Sequence, residues 1–221
     1  MAEPNITARA AGTSAIEINK VLRNTYMLLG ITLAFSAVVA TAAMVMGAPY
    51  LGPIPTLIGF FGLLFLVHKT ANGSWGLLSV FLLTGFMGFT LGPILSAYLT
   101  LPNGGTLVAS ALGTTALAFV GLSAYALVTR KDFSFLSGFI VVGVCVLLGV
   151  IVMSLFFDLS AFHTAISAGV VLLASAIILW QTSAIIHGGE TNYVLATVTL
   201  YVQIYNLFLS LLHIFGVMGD D

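Results

Sequence analysis

Charge is what this sequence has least of. Of its 221 residues, six are Lys or Arg and seven are Asp or Glu, 6% in all, whereas soluble domains carry about 25%. With 60% of residues hydrophobic, there is too little polar surface to cover a water-soluble core. Cysteine is nearly absent as well. Cys145 alone, set in an apolar stretch, excludes an internal disulfide and a multi-cysteine metal site. A net charge of -1 provides no basic patch for nucleic acid, and no glycine-rich phosphate loop of the P-loop or dinucleotide type occurs.

What the chain has in abundance is apolar runs of membrane-crossing length. Breaks at Pro, Gly and charge divide them into seven segments, about 24–47, 51–68, 74–99, 106–128, 134–157, 160–186 and 193–217. The expected fold is all-α, a polytopic bundle of seven transmembrane helices over residues 21–221. Residues 1–20 are expected to form a flexible polar tail, without the h-region and cleavage site of a signal peptide. The second segment has the shortest clean core, IPTLIGFFGLLFLV. Basic residues decide that it crosses. Arg9, Lys20 and Arg23 precede the first segment, Lys69 follows the second, and Arg130 and Lys131 follow the fourth. Seven crossings with the N-terminus cytoplasmic place all six on the inner face, as the positive-inside rule favours. The C-terminus is then outside, and no Asp, Glu, Lys or Arg falls in the hydrophobic interior, which argues against a charge-driven pump.

Small residues are expected to supply the packing, since lipid gives helices no hydrophobic reason to associate. In the third segment Gly88, Gly92 and Ser96 recur every four residues, with Pro93 beside Gly92 as a candidate hinge. Gly138, Gly143 and Gly149 are read as packing positions in the fifth. On the seventh, Thr199, Gln203, Asn206, Ser210 and His213 fall within an arc of roughly 80°. That stripe must face protein or water. Gln181, in the cluster Gln181-Thr182-Ser183, is ~9 Å from the inner end of the sixth segment and Gln203 is ~15 Å from the same side. The two amides are close enough in depth to meet, either as interhelical glue or as the lining of a polar cavity.

Four histidines are spread over both faces, so a three-ligand zinc site is not expected. The best serine-nucleophile arrangement available is GLSAY around Ser123 with His213 as base. Helix-packing serines are common in membranes, so no catalytic residue, metal or cofactor is assigned and the chain is read as a non-enzyme. HGGET, with His187, Gly188, Gly189 and Glu190, reads as a tight inner hairpin whose His and Glu are also open to a partner.

TRKDFSFLSGFI (129–140), which includes Arg130, Lys131 and Asp132, together with IIHGGETNYVLATVTLYV and YNLFLSLLHIFG, resembles the Bax inhibitor-1 family of seven-span membrane proteins. KVLRNTYMLLGITLAFSAVVATA and HKTANGSWG resemble its bacterial YccA-like branch. The resemblance runs from about residue 18 to the end. It implies residence in a bacterial inner membrane and binding to the membrane protease FtsH, with the lipid bilayer as the other partner and no nucleic acid. Calcium-leak members carry a titrating carboxylate pair in the sixth and seventh spans, and the matching positions here look like Gln181 and Gln203. An amide neither titrates near neutral pH nor offers a hard anionic ligand to Ca²⁺. A pH-sensitive cation leak is therefore the alternative expectation, with its gate neutralised.

Overall fold

The computed structural model describes the backbone of residues 6–154 and 156–218. Residues 1–5, 155 and 219–221, and the side chains of residues 6–15 and 160, lie outside the described set, so Glu3, Arg9, Asp220 and Asp221 are not placed.

Seven long helices follow in the order α1 (Ile6–Val45), α2 (Pro53–Thr70), α3 (Gly76–Leu99), α4 (Gly104–Thr129), α5 (Leu136–Ser154), α6 (His163–Ile186) and α7 (Tyr193–Met218), with one 3₁₀ turn before α6. Each is long and apolar enough to cross a membrane, and no strand occurs among the described residues. The second segment, short on paper, is an unbroken 18-residue helix, about 27 Å long at 1.5 Å per residue. One boundary differs. α1 starts at Ile6, so the stretch expected to be a flexible tail is helical from there on. Its Ala8, Ala10, Ala11 and Ala15 are among the best helix formers, and they outweigh its polarity.

Local chemistry sets the ends of the helices. Pro53 opens α2 behind Gly52 at φ 80°, a conformation that only glycine adopts without strain. α4 stops at Arg130 in the left-handed region, φ 49°, whose N–H donates to the Ala126 carbonyl. Asn192 caps α7, its Oδ1 accepting from the N–H groups of Val194 (2.9 Å) and Leu195 (3.2 Å).

Packing is uneven around the bundle. α7 is the centre: it meets α6, α4, α1 and α3, and it buries Leu200, Tyr201, Leu207 and Leu212 almost completely. α1 lies chiefly along α3 and α7. Gly88 and Gly92 form the α1–α3 seam. A Cβ on Gly88 would stand 2.5 Å from the Ser36 carbonyl oxygen, and one on Gly92 would stand 2.6 Å from Ala43 Cβ. The ridge therefore brings two backbones together, as small residues do in membranes. α3 runs on through Pro93 as one continuous helix, so the structure places Gly92 in a packing seam and breaks no helix there.

α2 packs on α3 and α5 on α6 at the margin of the bundle, and α5 has no buried residue. The expectation for α5 is corrected accordingly. Gly143 does pack, against the Leu173 side chain, but Gly138 and Gly149 face open space. A helix with one neighbour has one packing face, so glycines on its other faces have nothing to meet.

Candidate functional site

One end of the bundle gathers the start of α1 and the three loops α2–α3, α4–α5 and α6–α7. Side chains join them. Asn192 Nδ2 donates to Asn72 Oδ1 (2.7 Å) and to the Ala71 carbonyl (3.3 Å), while Ser183 holds the α4–α5 loop. Its Oγ accepts from the Phe133 N–H (3.0 Å) and donates to the Lys131 carbonyl (3.2 Å). Every described Lys and Arg (Lys20, Arg23, Lys69, Arg130 and Lys131) sits at this end.

The polar cluster near the end of α6 thus does three different things. Ser183 clasps the neighbouring loop. Thr182 Oγ1 lies 3.4 Å from the Tyr26 hydroxyl of α1. Gln181 is buried at 2% exposure, and its Nε2 has no hydrogen-bond partner. Gln203, on α7, is also buried. No hydrogen bond joins the two amides among the described residues, so of the two alternatives open for them, direct glue between Gln181 and Gln203 is not formed. Ser123 Oγ, on α4, is a second buried orphan. It lies six residues from the end of its helix, and Gln181 lies five from the end of α6, so the two share a depth of about 8–9 Å. Two neutral, unpartnered polar atoms therefore lie at a similar depth on neighbouring helices α4 and α6.

The loops bear the charged motif residues. Asp132 Oδ1 accepts from the Ser134 N–H (2.8 Å). That bond holds its carboxyl below the usual carboxylate range, with the Ser134 side chain and then His187 adding to the effect. His187 Nδ1 is 2.9 Å from the Ser183 carbonyl, which can only accept, so Nδ1 carries the proton. Gly188 (φ 75°) and Gly189 close the turn, with the Gly189 N–H on the Ala184 carbonyl at 2.8 Å. Glu190 Oε1 accepts from the Asn192 N–H (2.8 Å). These residues therefore build the turn. Beside it, Glu17, Lys20 and Asn24 of α1, with His187, Glu190 and Thr191, line an open cavity of about 640 Å³.

The polar stripe of α7 is turned into the protein. Gln203 and Ser210 are buried, and Thr199, Asn206 and His213 are half-buried. Toward the opposite end of the bundle the His213 ring meets His163 edge to face, centroids 5.8 Å apart, with Nε2 unpartnered. His213 is twenty residues from the start of α7, so about 20 Å of depth separates it from Ser123. The two cannot act as nucleophile and base. No group of three potential metal ligands occurs among the described residues.

The sequence reading missed the ties of α1 itself. Ser36 Oγ and Tyr201 OH lie 2.5 Å apart, Tyr201 OH also donates to the Thr84 carbonyl (3.3 Å), and Thr197 Oγ1 donates to the Thr25 carbonyl (3.2 Å). A tyrosine inside an apolar span was the available signal, because a buried hydroxyl needs a partner.

Comparison with known proteins adds a family profile described as "Inhibitor of apoptosis-promoting Bax1", which matches residues 18–220. The modulator of FtsH protease YccA of Escherichia coli K12 is 54% identical over 209 residues, 95% of each chain. An inner membrane protein YccA of E. coli O6:H1 matches to the same extent. A protein of Pseudomonas aeruginosa is 59% identical over 221 residues, the whole of both chains.

Proposed function

The chain belongs to the Bax inhibitor-1 family, and on that premise we propose that it is a multi-pass inner-membrane protein that binds and inhibits the membrane-anchored, ATP-dependent protease FtsH. The observation that carries this reading is the 54% identity, over nearly the full length of both chains, to a protein named for modulating that protease. The role needs no catalytic residue in this chain. The basic end of the bundle, where α1 begins, is cytoplasmic on this reading.

Its mechanism follows from the ties of α1, the helix that a pulling protease reaches first. Terminal helical turns of residues 6–20 fray at little cost, so a AAA protease gains a grip. Further on, Tyr26, Thr25 and Ser36 are bonded to Thr182, Thr197 and Tyr201, partners 156, 172 and 165 residues away. Extraction past that point meets the packing of the whole bundle. The protease holds a substrate that it draws out slowly, and its capacity for other substrates falls.

Deleting residues 2–18 tests the handle. Loss of co-purification with FtsH from native membranes is the expected result; undiminished recovery of a folded truncated chain would overturn it.

A further inference from the structure

α1 and α4 are both packed on α3 and α7 and touch each other through the Tyr26 and Phe119 rings, centroids 6.1 Å apart; a cavity of about 480 Å³, lined in part by Phe119, lies between them. It plays no part in the reading above. Its floor is buried, formed by Tyr201 and Phe208 of α7. Its lips, Ala37 and Thr41 on α1 and Ala116 and Val120 on α4, are exposed. In a membrane-spanning bundle, that groove opens sideways into the hydrocarbon.

The hydroxyls in the lining are already used. Ser36 is bonded to Tyr201, Tyr205 is 3.3 Å from Thr90, Thr115 donates to the Ala111 carbonyl, and Thr41 donates to the Ala37 carbonyl. No hydroxyl here has a proton left to donate, and the rest of the lining is apolar, so the groove suits an apolar occupant better than water, which needs two to four polar partners. Size excludes a helix. A helix of about 10 Å diameter crossing about 30 Å of hydrocarbon fills roughly 2,000 Å³ or more, several times the available space. From Leu33 to Thr41 the groove runs eight residues along α1, about 12 Å. That length falls within one leaflet, half of the ~30 Å core.

We propose that this groove is a binding site for one acyl chain of a membrane diacyl lipid, which fills the gap between α1 and α4 beside their Tyr26–Phe119 ring contact. The proposal rests on membrane residence alone and is independent of the protease.

Reconstitution in phosphatidylcholine nanodiscs doped with a phosphatidylcholine that carries a mid-chain diazirine tests it. After irradiation, peptides containing Ala37–Thr41 and Ala116–Val120 should be labelled several-fold more than the exposed α5 face at Val141 and Val142. Ala116→Trp should bring the groove label down to the α5 level, and Val142→Trp should leave it unchanged. Ala37→Phe serves the same purpose from the other lip if the tryptophan variant does not fold. Equal labelling of groove and α5 in the parent, meaning ordinary surrounding lipid, would overturn the proposal. So would a groove that takes up less label than α5, meaning that something other than lipid, such as a second copy of the chain, covers it.

Discussion

Ser36 on the first helix and Tyr201 on the last are hydrogen-bonded through their hydroxyls at 2.5 Å, in the middle of the bundle and at a sequence separation of 165 residues. Tyr201 is 1% exposed and packs in the main apolar core. The chain is thus closed end to end through a contact that lipid does not compete for.

Tyr201→Phe keeps the ring and removes the hydroxyl, leaving Ser36 and the Thr84 carbonyl short of a partner. The expected loss is about 0.6–1.7 kcal/mol, the range for interhelical hydrogen bonds in membranes. Thermal unfolding in detergent checks it, and Ser36→Ala should fall in the same range. An unchanged midpoint for both variants would mean that the bond contributes nothing.

Glycines divide by what surrounds them. Gly88→Ala must push α1 from α3, because the new Cβ has the Ser36 carbonyl at 2.5 Å; a loss of roughly 1–3 kcal/mol is expected, as for overpacking. Gly113, on α4, has nothing within 4 Å. Gly113→Ala should be neutral or stabilising by up to about 1 kcal/mol, through helix propensity alone. Measured side by side, the Gly88→Ala midpoint should fall while the Gly113→Ala midpoint stays or rises.

Gln181 and Ser183 sit two residues apart and should respond differently. Gln181→Leu removes a buried amide whose Nε2 is unpartnered, so it should leave stability unchanged or raise it. Ser183→Ala strips the clasp from Phe133 and Lys131 and should cost about 1 kcal/mol. It should also speed hydrogen exchange at the Phe133 amide. A large loss from Gln181→Leu would reveal a partner for that amide.

How much of this was legible beforehand depends on whether depth or direction was needed. Apolar runs and basic residues give depth, and seven crossings with every described cation at one end followed from them. Direction around each helix is another matter. Gly143 meets Leu173 while Gly138 and Gly149 meet nothing, because α5 has a single neighbour, which its own sequence cannot reveal. Gln181 and Gln203 share a depth range yet do not bond, and Thr182 and Ser183 found partners on α1 and in the α4–α5 loop. Tyr201, a hydroxyl inside an apolar span, signalled that it needed a partner, but not that the partner was Ser36, 165 positions away.

Asp132 sets the pH dependence of the α4–α5 loop. Its folded carboxyl titrates below the usual value because the Ser134 N–H bonds the charged form. The stabilisation is therefore complete above the unfolded value of about pH 4 and is lost as pH falls through the lower folded value. Protection of the Ser134 amide, corrected for intrinsic exchange, should hold at neutral pH and collapse only under strong acid. Asp132→Asn should abolish that acid transition, and a transition persisting in the variant would assign it to another group.

The central claim is that this chain restrains FtsH by being a substrate that resists extraction, and the most direct measurement is made in proteoliposomes holding FtsH, ATP and a second, readily degraded membrane substrate. Adding this protein should slow loss of that substrate in a dose-dependent way while the protein itself disappears slowly, and Tyr201→Phe should be degraded faster and inhibit less. Undiminished degradation of the second substrate at saturating amounts of the folded chain would contradict the account.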